Sequence, residues 1–224
     1  MRVAFHTEAV VLESGLKMKV RSTRAVLIAV VAGCAATSAV MAQSRNSPEV
    51  SISSDSVKGW LPSDRQKQEV IKAAEDYFSL LDNAQYERAY GMMAEINRRS
   101  VPFPQYANQR QQFHEKSGAL KRRDMLKITW TKDPAAAPFP GVYAAIDVAS
   151  YFGNVDRHCG YVVLYQKPAG SSFEVMREES NFIDNDTAQK IERQQSRATL
   201  EAAWTKLAAN CPNYKSTESP ASKP

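Results

Sequence analysis

The apolar period of this chain changes once, near Gly118, and that change limits the folds open to it. Before it, Val70, Ala73, Ala74, Tyr77, Leu81 and Ala84 recur at helical spacing, with Lys72, Glu75, Asp76 and Ser79 turned the other way. An amphipathic helix buries such a stripe and leaves the rest in water. Ser63, preceded by Pro62 and followed three residues on by Gln66, gives this helix the start of a capping box. A second stripe, Tyr86, Ala89, Tyr90, Met93 and Ile96, is stopped by Pro102 and Pro104. A third helix is expected from about Gln105 to Ser117, carrying Tyr106 and Phe113 and closed by Gly118.

Beyond Gly118 the side chains alternate. The first strand is expected over Arg123 to Thr131, with Leu126, Ile128 and Trp130 on one face. The second and longest is expected over Gly141 to Phe152. There Val142, Ala144, Ile146, Val148 and Phe152 alternate with Tyr143, Ala145, Asp147, Ala149 and Tyr151. His158 to Gln166 and Phe173 to Ile183 follow, joined through Gly153-Asn154 and Pro168-Ala169-Gly170-Ser171. Connections that short make hairpins, so the sheet should be antiparallel. A last helix is expected from about Thr187 to Ala209, capped by Asp186 and Gln189, with Leu200, Ala203, Trp204 and Leu207 in its second half. The fold class is therefore α+β: N-terminal helices packed on a four-strand antiparallel sheet, plus a C-terminal helix.

Upstream of this domain, Lys19, Arg21 and Arg24 precede an apolar run from Ala25 to Val31, and small residues follow as far as Ala42. That order is the logic of a secretory signal. Gly33, Thr37 and Ser38 interrupt the run, so it falls short of a membrane-spanning helix. Glu8 and Glu13 fit poorly in front of it, which points to Met18 as the true start. Two processing readings stay open. Cleavage after Ala42 releases a soluble chain, whereas Val31-Ala32-Gly33-Cys34 has the form of a lipobox whose Cys34 would carry lipid. Either exports the domain, to the periplasm or the cell envelope. Residues 43–62 read as a flexible linker, 63–211 as a single α+β domain and 212–224 as a disordered tail.

Export gives the cysteines a meaning. With Cys34 removed or lipidated, Cys159 and Cys211 form an even pair in an oxidising space and are expected to bond. The net charge of +5 also belongs largely to the targeting segment. Without residues 1–42 the chain holds 24 basic and 22 acidic residues, too even a balance to grip nucleic acid.

Candidate chemistry is sparse. His158 and Cys159 are strand neighbours that point to opposite faces, so they are expected to give a structural disulfide and a surface histidine rather than a dyad. Beyond the signal only His114 and His158 remain, at no spacing that suggests a metal site, and no motif calls for a cofactor. Lys121-Arg122-Arg123 reads as a solvated strand start. Asp147 stands among apolar neighbours on the face of Tyr143 and Tyr151, with Arg177 of the last strand within reach. These four are the candidate binding residues. Asp147 is the weak candidate for a general base, weighed against a cross-strand ion pair.

Helices followed by an antiparallel meander are similar to the nuclear transport factor 2-like and cystatin-like α+β folds. More narrowly, the chain resembles a family of exported bacterial domains of unknown function. Leu81-Asp82, Tyr86, Tyr90, Gly118, Arg122-Arg123, Gly141-Val142-Tyr143, Tyr151-Phe152 and the strand from Phe173 carry the likeness, over about residues 66–183. Tyr90 stands where that family usually has Trp, and Phe173 and Glu178-Glu179 replace its closing Trp and Gly-Tyr. The resemblance implies a fold and brings no catalytic residues. The function expected is a non-catalytic binding or interaction domain of the bacterial cell envelope, with an envelope protein or small ligand as partner. Membrane contact is expected only through a lipid anchor. The alternatives are a small-molecule enzyme or ligand-binding protein using the cone of the fold, and a structural accessory subunit.

Overall fold

A computed structural model of the chain describes residues 48–52, 57–170, 172–209 and 211. The signal-like segment, Cys34 within it and the expected tail lie outside the described residues.

The first helix, α1 (Asp64–Asp82), starts at the expected capping box: Ser63 Oγ accepts from the Gln66 N–H, and Gln66 Oε1 accepts from the Ser63 N–H. The second stripe does not make one helix. It divides into α2 (Tyr86–Gly91) and α3 (Glu95–Ser100) because the chain between them bonds to the sheet edge instead. The Val175 N–H donates to the Met92 carbonyl at 2.8 Å, and the Ala94 N–H donates to the Val175 carbonyl at 2.9 Å. Pro102 caps α4 (Phe103–Ser117), with Pro104 inside its first turn, where a missing N–H costs nothing. Gly118 then ends α4 with a φ of 71°, a backbone state that other residues resist.

The sheet corrects the expected fold class. It has five strands in the order β1 (Glu49–Ile52), β2 (Leu120–Lys132), β3 (Val142–Phe152), β4 (Val155–Gln166) and β5 (Glu174–Asp184). The last four form the antiparallel meander, but β1 runs parallel to β2, so the sheet is mixed. Four residues with two apolar side chains, in a stretch whose serines read as linker, leave too little periodicity to betray a strand. The helices number six among the described residues, and they are not all N-terminal. The single expected C-terminal helix is two, α5 (Asn185–Gln194) and α6 (Arg197–Ala208). Asp184, rather than Asp186, caps α5, and Ser196 begins α6 by accepting from the Thr199 N–H.

Alternation along the strands separates two cores. On the helix face, Val142, Ala144, Ile146 and Val148 of β3 with Val162 and Leu164 of β4 pack under Val70, Ala74, Tyr77 and Phe78 of α1. On the outer face, Cys159, Ile183, Ala188, Leu200, Trp204 and Cys211 form a smaller cluster beneath α5 and α6.

Candidate functional site

Along β3 the helix-face residues are apolar except for Ser150, which stands between Val148 and Phe152. There the sheet, the end of α1 and the second half of α4 line a cavity of about 90 Å³. Phe78, Phe113, Phe152 and Phe182 supply its apolar wall, and Arg110, Arg123, His158 and Ser180 are among its polar groups.

The charges around it are arranged in pairs. Arg123, turned inward from β2, grips Asp82 at the end of α1 with both terminal nitrogens, at 2.6 and 3.0 Å. Its Nε donates to Ser150 Oγ at 3.0 Å, and its guanidinium lies 4.3 Å from the centre of the Phe78 ring. Across the cavity, Arg110 of α4 holds Glu178 of β5 in the same way, at 2.9 and 2.8 Å. Glu178 also accepts a 2.6 Å hydrogen bond from the Tyr77 hydroxyl, which lies 3.2 Å from that of Tyr106. Burial works against the charge on Arg110, but Glu178 together with Tyr77 and Tyr106 outweighs it and raises the pKa above that of an ordinary arginine. Burial, then the neighbouring Glu178, drives the Tyr77 phenol well above its usual range. Planar two-point contacts of this kind are strong, and they leave neither partner available as an acid or base.

His158 completes the network. Its Nδ1 accepts from the Ser150 N–H at 3.2 Å, so the ring proton sits on Nε2, which lies 2.8 Å from Ser180 Oγ and donates to it. That tautomer cannot take a proton from the serine, so the pair is not a nucleophile and its base. Burial, helped by Arg123, pulls the His158 pKa down to about 3 and keeps the ring neutral. Only 7% of His158 is exposed, which corrects the expectation of a surface histidine. Its parity is as expected: His158 faces the cavity and Cys159 the other side.

Of the four candidate binding residues from the sequence, none lines this cavity. Asp147 is buried on the outer face, opposite Lys127 and Tyr161 in the ladder. Tyr143 stacks on Tyr165 at 4.8 Å and donates to the Phe139 carbonyl. Tyr151 is exposed beneath Arg122, 4.2 Å from its ring centre. Arg177 pairs with Glu179 over the Tyr161 ring. The four lie along one face, where Tyr161 stands beside both Asp147 and Arg177, while Tyr143 and Tyr151 have neighbours of their own. Cys159 and Cys211 are joined, with their Cα atoms 6.2 Å apart. Trp204 packs in the cluster around the disulfide, and the 133–140 loop meets Tyr143 and Tyr165 through the Phe139 and Pro140 carbonyls.

The residues that sequence reasoning missed are Asp82, Arg110, Arg123 and Glu178. Arg123 was one charge in a basic run. Counting back along β2 from Trp130 and Ile128 would have turned it inward only if the register shift between Met125 and Lys127 were known. A second shift, between Val163 and Leu164 of β4, hides Glu178 in the same manner.

Among the described residues no cluster of three or more His, Cys, Asp or Glu could hold a metal ion, and no helix is long and apolar enough to cross a membrane. Comparison with known proteins gives one family. Residues 73–176 match the model of a protein family described as of unknown function, DUF4019. No curated protein and no solved structure matches the chain. The DUF4019-like span begins inside α1 and ends inside β5, so it takes in the helix-face core and most of the cavity wall. It leaves out β1, α5 and α6.

Proposed function

We propose that this chain is an exported, non-catalytic binding or interaction domain of the bacterial cell envelope, either free in the periplasm or held to a membrane through lipid on Cys34. The observation that carries the non-catalytic part is the state of the cavity. Arg123 and Arg110 are committed to Asp82 and Glu178, His158 is neutral and in the wrong tautomer for a base, and about 90 Å³ remains. Small-molecule sites ordinarily offer about 300 Å³ or more, with convergent polar groups left free for the ligand. Export is supported by the signal-like order of residues 18–42 and by the Cys159–Cys211 bond, which suits an oxidising compartment. Helices laid across one face of an antiparallel meander favour a fold of the nuclear transport factor 2-like or cystatin-like kind, with β1, α5 and α6 added.

The test is fractionation followed by crosslinking. A tagged full-length chain should leave the cytosol, lose about 25 or more residues, and crosslink reproducibly to one envelope component in intact cells. Cys34→Ser should move it from membrane to soluble fraction only if the cysteine is lipidated. Uncleaved protein in the cytosol, or turnover of a small molecule that survives loss of every crosslink, would sink the proposal.

A further inference from the structure

We infer that the edge of β2 now covered by β1 is a docking slot for an acidic, extended segment of a partner protein, which takes the place of β1. Strand β1 is four residues long and covers only Lys127 to Trp130 of the thirteen-residue β2. It is lightly held. Val50 and Ile52 are 53% and 39% exposed although they are in register with the buried Ile128 and Trp130. Its side-chain ties are Ser51 to Thr129 at 3.0 Å, and Glu49, itself 66% exposed, to Lys127 at 3.3 Å. A strand so placed gives up little on leaving, and it uncovers a ladder of backbone donors and acceptors that another strand can fill.

The slot states what it takes. Lys121, Lys127 and Lys132 lie along β2, while Arg122 is paired at 3.1 Å with Asp124, the one acidic residue of the strand. Arg123, the remaining basic residue, is turned inward and consumed by Asp82. Basic residues on an edge repel strands of like charge and admit acidic ones. Within the ladder, an acid opposite Lys127, a hydroxyl opposite Thr129, and β-branched residues beside Ile128 and Trp130 reproduce the pairing that β1 makes. The occupant is thus a segment alternating acidic or hydroxyl residues with β-branched ones. Nothing in this depends on export or on the cavity, so the slot is tested on purified protein and its failure leaves the proposed location untouched.

The probe is a fluorescein-labelled hexapeptide with the Glu-Val-Ser-Ile order between two further glutamates, titrated into the full chain. Binding is expected, weakening with salt and falling by about three- to tenfold in Lys127→Glu. A chain carrying Ser51→Cys with Thr129→Cys, oxidised so that β1 is pinned, should not bind it. Circular dichroism checks that both variants are folded, and Lys127→Glu stands as the independent arm if the pinned chain is not. No binding by the full chain, or equal binding by the pinned one, overturns the inference. So does a concentration-dependent dimer that the pin abolishes, since the occupant is then a second copy of this chain.

Discussion

His158 is the residue whose surroundings make the sharpest demand on conditions. In the unfolded chain an imidazole titrates near 6.5, whereas in the fold its pKa is about 3. Between those values the unfolded state binds more protons than the folded one, so stability is full above about pH 6.5 and is lost as the pH falls toward 3. At pH 5 the loss should be about 2 kcal/mol relative to pH 7. His158→Asn keeps an oxygen to accept from the Ser150 N–H but cannot be protonated, so it should flatten that slope. Urea midpoints of both proteins at pH 7 and pH 5 check this. An equal drop in both would assign the sensitivity to other groups. The sequence placed His158 correctly opposite Cys159 but gave no sign of its burial. Parity within a strand is local, whereas burial is decided by α4 arriving from elsewhere with Phe113, whose ring centre lies 6.4 Å from that of His158.

At the scale of elements, what was legible was what is locally encoded. The Ser63–Gln66 box, the stripe of α1, the alternation of β3 and the hairpins between the last four strands all rest on neighbours within a few residues. The division of α2 from α3 and the docking of β1 rest on partners about eighty residues away, Val175 for one and Lys127 to Trp130 for the other. Gly160 shows the same limit inside a strand that was legible. A Cβ there would stand 2.4 Å from the Glu179 carbonyl oxygen, so β5 approaches β4 more closely than any side chain allows. Gly160→Ala should force the two strands apart and cost about 1–3 kcal/mol. Gly91, at the end of α2, has nothing within 4 Å of the equivalent position. Gly91→Ala should therefore stabilise by about 0.4–1 kcal/mol, by restricting the unfolded chain. Chemical denaturation of the two variants side by side decides it, and equal effects of the same sign would show that the close approach is not what selects glycine at 160.

On the scale of the whole molecule, one sheet is shared by two cores of unequal size, and the match to DUF4019 covers mainly the larger. The helix-face core joins α1, α2 and α4 to four strands, and the outer one holds α5 and α6 against Cys159 and Ile183. The Cys159–Cys211 bond spans 52 residues and fastens the chain just past α6 back to β4. A closed loop of that length is worth about 4 kcal/mol on the chain-entropy account. That stabilisation falls on the weaker core, because Cys211 belongs to it. If the two cores open separately, Cys211→Ser should lower the protection of α5 and α6 amides against hydrogen exchange by a few kcal/mol. The amides of α1 and α4 would keep theirs, since Tyr77, Tyr106, Arg110 and Glu178 tie those helices to the sheet without help from the outer face. Native-state hydrogen exchange followed by mass spectrometry distinguishes this from a single cooperative unit, in which both sets of helices would lose protection by the same amount. Separate opening would also give the additional helices a defined place, as an outer layer pinned by one bond over a domain that stands without them.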